Sequence, residues 1–97
     1  MKYSFHPEAE TELLQAIAYY EDYEVNLGYD FAIEVYSAID RVVSFPNAWP
    51  ILDQDIRRCL INRFPYGVLY SVENDEIFIP AVMHMHRDPD YWKKRVG

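Results

Sequence analysis

With 97 residues the chain has material for one core, and a single domain spanning residues 1–97 is expected. An apolar share of 51%, with nine Tyr, five Phe and two Trp, excludes intrinsic disorder and supplies enough large side chains for that core. The lone cysteine, Cys59, excludes an internal disulfide, the first residues carry no apolar leader, and no apolar run reaches the roughly 18 residues of a membrane span, so a soluble cytoplasmic protein is expected.

The net charge of −7 speaks against nucleic acid as a partner, yet the charge is unevenly spread. Residues 1–55 hold eleven acids and two bases, whereas residues 56–97 hold seven bases and five acids. Any anion would therefore meet the second half, and a dipole is expected with Arg57, Arg63, Arg87 and Lys93-Lys94-Arg95 on its positive side.

In chain order, Lys2 to Phe5 alternates as a short strand. Pro7 and the acids Glu8, Glu10 and Glu12 then open a helix, whose apolar stripe of Ala9, Leu13, Ala16, Ile17, Tyr20 and Leu27 ends at Asn26-Leu27-Gly28. A second helix carries Phe31, Val35, Ala38, Ile39, Val42, Val43 and Phe45 and is closed by Pro46. The two pair as a hairpin. Pro46 to Asp55 reads as a loop anchored by Trp49. Ile56 to Phe64, Gly67 to Val72 and Glu76 to Met85 are β-branched and aromatic runs, parted by Pro65-Tyr66 and Glu73-Asn74-Asp75, and predict an antiparallel meander. The last of them is central and needs a bulge at Pro80. Asp88-Pro89-Asp90 opens a terminal helical turn bearing Tyr91 and Trp92. The order β-α-α-β-β-β-α is an α+β domain, with the helical hairpin on one face of a small antiparallel sheet and the other face open or covered by the terminal segment.

For chemistry, the chain offers no nucleophile elbow and no phosphate-binding glycine loop, since its glycines are isolated. His84 and His86 share a strand face without further metal ligands at a familiar spacing, so neither metal nor cofactor is expected. What remains is a basic and imidazole cluster. Arg57 and Arg63, six apart, fall on one side of the first meander strand, while His84, His86 and Arg87 end the last one and Tyr91 follows within one helical turn. Converging, they would hold phosphate with guanidinium groups and move protons with imidazoles. The structural alternative is that the arginines solubilise a sheet edge and the histidines are satisfied in place.

The segments FHPEAETEL, AIAYYEDYEVNLGYDFAIEV, FPNAWP, RRCLINRFPYGVLYSV and AVMHMHRDPDYW, in this order, resemble the RelE/ParE toxin superfamily of bacterial type II toxin–antitoxin modules. The resemblance implies a toxin neutralised by a cognate antitoxin. Its ParE-like members poison DNA gyrase, and its RelE-like members cut messenger RNA on the ribosome. The nucleases carry an arginine after the tyrosine that opens the second meander strand; here Gly67 follows Tyr66. Arg87 and Tyr91 match or approximate their terminal arginine and tyrosine, and Arg57 and Arg58 replace their lysines. The acidic balance and the FPY and HRDPDYW forms place the chain nearer the ParE-like members, with a ribosome-dependent nuclease and a non-toxic partner-binding member as alternatives.

Overall fold

A computed structural model describes residues 1–96. Strand β1 (Lys2–Phe5) leads into helices α1 (Pro7–Tyr23) and α2 (Leu27–Ser44), followed by strands β2 (Ile51–Asp53), β3 (Ile56–Leu60), β4 (Tyr66–Glu73) and β5 (Glu76–His84). A 3₁₀ turn at Lys93–Arg95 follows Tyr91 and Trp92, where a helical turn bearing those two residues was predicted. None of the described helices is long and apolar enough to cross a membrane.

Pro7 fixes the first helical turn of α1, and the His6 imidazole Nδ1 accepts the Glu8 N–H at 3.1 Å. The helix ends at Tyr23, earlier than its predicted stop at Asn26-Leu27-Gly28. Leu27 and Gly28 open α2 instead, behind Asn26, which takes a left-handed conformation at φ 71°. The reason lies in Glu21: its carboxylate accepts the amides of Asn26 at 2.9 Å and Gly28 at 3.1 Å, satisfying donors that a helix N-terminus otherwise leaves open. Glycine is required here because any Cβ at position 28 would overlap the Ile17 carbonyl oxygen of the neighbouring helix.

The sheet has the order β1-β5-β4-β3-β2. Its strands are antiparallel except that β1 runs parallel to β5, so the predicted antiparallel meander is flanked by a parallel strand and the sheet is mixed. Strand β2 lies inside the segment predicted as a loop and pairs with β3 as a three-residue edge. Strand β3 stops at Leu60, four residues short of the predicted Phe64, because the chain turns there with Arg63 at φ 71° and the Ile61 N–H closes on the Tyr66 carbonyl at 3.0 Å. Between Leu69↔Ala81 and Ser71↔Phe78, β4 advances two residues while β5 advances three. This bulge contains Pro80, which has no N–H for the ladder, as its sequence position required.

The helices cover one sheet face. Phe31, Val35, Ile39 and Val42 pack on Val68, Tyr70, Ile77 and Ile79. The opposite face is covered by the terminal segment, where Trp92 lies on Ile56, Leu69, Ala81 and Met83. The Tyr70 hydroxyl, buried in the first layer, donates to the Pro46 carbonyl at 2.7 Å, and burial pushes its pKa from 10.0 up to about 12. A tyrosine with a raised folded-state pKa contributes stability that is whole below the unfolded value and lost as pH rises through the folded one. Stability should therefore fall between pH 10 and about 12, and Tyr70→Phe should flatten that fall. Thermal melts of both proteins across this range test it; parallel curves would refute the assignment.

Candidate functional site

The structure divides the six candidate residues. Arg57 and Arg63 do not join the others or each other. Arg57 pairs with Tyr70 in the ladder and its Nη1 donates to the carbonyls of Asn47 and Trp49, so it ties down the loop before β2. Arg63 is not on β3 at all; it lies in the following turn, 3.6 Å from Asp30 of α2. The expectation that both arginines share one strand side fails because the strand ends between them.

His84, His86, Arg87 and Tyr91 do converge, where β5 ends. The His84 ring meets Tyr66 edge-on at 5.0 Å and His86 at 5.2 Å. Its Nδ1 accepts the His86 amide at 3.0 Å, so in the neutral ring the proton sits on Nε2 and the outward nitrogen is a donor. The Arg87 guanidinium stacks on the Tyr91 ring at 3.5 Å and Arg95 approaches the same ring at 5.0 Å.

The centre of this cluster is a residue the sequence placed off the apolar stripe. The Glu12 side chain, on α1, is only 11% exposed. Its Oε1 accepts Arg95 Nη1 at 3.0 Å and the Val82 N–H at 3.1 Å, and its Oε2 accepts Arg87 Nη1 at 3.2 Å. Arg95, 9% exposed, also meets Glu8 at 3.3 Å and donates to the Pro80 carbonyl at 3.0 Å. The backbone explains the demand. Strand β1 covers β5 only as far as Ile79, leaving the edge from Pro80 onward without a partner strand. Glu12 and Arg95 satisfy the polar groups so exposed. Nothing in the local pattern marked Glu12, because its role depends on a strand some 70 residues away.

Electrostatically the cluster is closed on itself. Burial first, and the adjacent Glu12 carboxylate next, push the Tyr91 pKa up, so the phenol stays protonated at neutral pH. Lys93 is paired with Asp53 at 2.7 Å and Asp90 at 3.0 Å. Of the expected positive side, Arg63, Arg87, Lys93 and Arg95 are thus met by carboxylates, whereas Arg57 is bound to carbonyls and Lys94 meets no carboxylate among the described residues. Among the described residues no carboxylate lies within 4 Å of either imidazole. No three His, Cys, Asp or Glu side chains there come together to hold a metal ion. A cleft of about 180 Å³ remains beside Arg87, lined by Glu12, Gln15, Tyr19, Tyr66, Val82 and His84.

Among solved structures, the chain is similar to one titled "Chromosomal ParDE TA system from P. aeruginosa", with 22% identity, a TM-score of 0.58, and coverage of 89% of this chain and 97% of that one. At that identity the likeness establishes the fold. The search of curated proteins finds no match. The family model described as "ParE toxin of type II toxin-antitoxin system, parDE" matches residues 3–89, with the hairpin, the meander and the arginine that stacks on Tyr91 all inside the match, and the chain therefore belongs to the ParE toxin family.

Proposed function

We propose that the protein acts by binding a protein target, DNA gyrase in the first place, and is neutralised by a cognate antitoxin. The observation that carries this reading is the self-compensation of the basic cluster. A ribosome-dependent nuclease needs cations free to hold phosphate and a group free to take a proton. Here Arg87 and Arg95 are engaged by Glu12, His84 presents a donor, and Gly67 stands where the nucleases have an arginine.

The helical hairpin supports the antitoxin half of the proposal. Leu14, Val25, Tyr29, Ile33 and Tyr36 are all exposed there, Tyr29 at 67% and Leu14 at 59%, amid the carboxylates of Glu10, Asp22, Glu24 and Asp40. Exposed apolar side chains in this number mark a surface that a partner covers. Wild-type protein added to a gyrase supercoiling assay should inhibit it, and added to translating ribosomes should leave messenger RNA intact. Cleaved message would overturn the proposal in favour of an endonuclease; inactivity in both assays would leave the partner-binding, non-toxic reading. Co-expression with the adjacent open reading frame should yield a co-purifying complex.

A further inference from the structure

We infer that the outer edge of β1 is a self-association surface, at which two copies of this chain pair about a two-fold axis. Strand β1 ends the sheet on the side away from β2, and among the described residues it pairs with β5 alone. The His6 N–H closes on the Ile79 carbonyl at 2.9 Å. By the alternation of a parallel ladder, the amides and carbonyls of Lys2 and Ser4 then also face β5, and those of Tyr3 and Phe5 face outward. Two outward residues with one between them are self-complementary. An antiparallel pairing centred on Ser4 sets Tyr3 of each copy opposite Phe5 of the other, closes both main-chain hydrogen bonds of each such pair, and fuses the two sheets into one.

The side chains suit this pairing on both faces. Towards the helices, the Tyr3 and Phe5 rings meet edge-on at 5.9 Å, and Phe5 packs against the core. Tyr36 of α2 lies near them, its pKa pushed up by burial first and by Tyr3 next. Met1 is 52% and Tyr3 and Tyr36 are each 42% exposed, so an aromatic patch borders the open edge. In the pair, Tyr3 of each copy covers Phe5 of the other as a cross-strand aromatic contact. On the far face, Lys2 of each copy comes opposite His6 of the other, whose Nδ1 accepts the Glu8 N–H. The Glu8 side chain is 67% exposed there, and a cation brought beside it is matched in sign.

Strand β1 also lacks most of the devices that blunt a sheet edge. It has no proline, its register with β5 is unbroken, and its single charge, Lys2, has Glu76 as register partner. The opposite edge is guarded by Pro50, Asp53 and Asp55. The one protection of β1 is its length of four residues, which keeps the dimer weak, with a dissociation constant on the order of 10 to 100 μM. The net charge of −7 on each copy opposes association over long range and is screened by salt. A strand from another protein would meet the same main-chain groups without the two-fold match of Tyr3 to Phe5.

Sedimentation velocity of the full chain from about 1 to about 500 μM should show one chain becoming two, more readily at about 0.3 M than at about 0.03 M salt. Oxidation reads the register. Ser4→Cys puts its two Cα atoms about 5 Å apart across the axis, within disulfide reach, whereas Lys2→Cys puts them about 13 Å apart, outside it. The first should cross-link at least about tenfold faster than the second, Cys59 being buried in both. Tyr3→Pro removes an N–H that the β1–β5 ladder does not use, so it should keep the circular dichroism and abolish both the dimer and the Ser4→Cys cross-link. In the unaltered chain, the Tyr3 and Phe5 amides should gain hydrogen-exchange protection as concentration rises, a readout that needs no variant. A single-chain mass at every concentration, equal cross-linking of the two cysteine variants, or dimers that survive Tyr3→Pro and are lost in Leu52→Asp or Ile33→Asp would each overturn the inference.

Discussion

Glu12→Ala should lower the unfolding free energy by about 3 to 5 kcal/mol, the scale for removing one partner of a buried ion pair. The carboxylate and the Arg95 guanidinium are 11% and 9% exposed, so solvent cannot take over the lost contacts. Arg95 would keep Glu8, which is two-thirds exposed, the Pro80 carbonyl and the Tyr91 ring, while the Val82 N–H would lose its acceptor. Arg87 would also lose its one close carboxylate among the described residues, keeping its stack on Tyr91. Urea titrations of the wild type, Glu12→Gln and Glu12→Ala separate these contributions. The glutamine variant retains an acceptor for Val82 and should fall between the other two. A loss under about 1 kcal/mol for the alanine variant would place the network among ordinary surface pairs.

The second large effect is expected from Trp92→Ala, at about 3 to 5 kcal/mol. Trp92 is 2% exposed and is the largest side chain of the outer layer, where it covers Ile56, Leu69, Ala81 and Met83. Removing it opens a cavity between sheet and terminal segment that the neighbouring Met85, Tyr91 and Val96 cannot fill. In a domain of this size each kcal/mol moves the midpoint by about 4 to 8 °C, so the melting temperature should drop by well over about 10 °C. Trp92→Phe is the control. The indole N–H is buried without a partner among the described residues, so phenylalanine keeps much of the packing and removes an unmet donor. If phenylalanine and alanine cost the same, packing is not what Trp92 contributes.

Much of the fold was legible because its signals are local. The two helical stripes, the proline-primed start of α1 and the Pro80 bulge each follow from residues within a turn or two of one another. The misplaced helix boundary was not legible, because Asn26-Leu27-Gly28 suits a helix end as well as a helix start, and the choice was made by Glu21 reaching across the turn. Strand β2 was hidden because an edge strand of three residues flanked by proline has no periodicity to read. At the site, His84, His86, Arg87 and Tyr91 were found because they are neighbours in sequence. Arg57 and Arg63 were misgrouped by extending β3 past its end, and Glu12, Glu8 and Arg95 were missed because they meet only through the tertiary fold.

The parallel pairing of β1 with β5 also sets an order in time. Lys2 meets Glu76 and Phe5 meets Ile79, so β1 is held by a strand made some 70 residues later. The helical hairpin is local and forms early, but the surface it buries against belongs to β3, β4 and β5. During synthesis, β1 must wait unpaired and the apolar stripes of both helices must wait uncovered until β5 has left the ribosome. The contacts of Trp92 and Arg95 come later still. Completion of this core is thus deferred until β5 and the segment bearing Trp92 and Arg95 have been made, and a product interrupted before β5 would carry a helical hairpin without the sheet that completes its core.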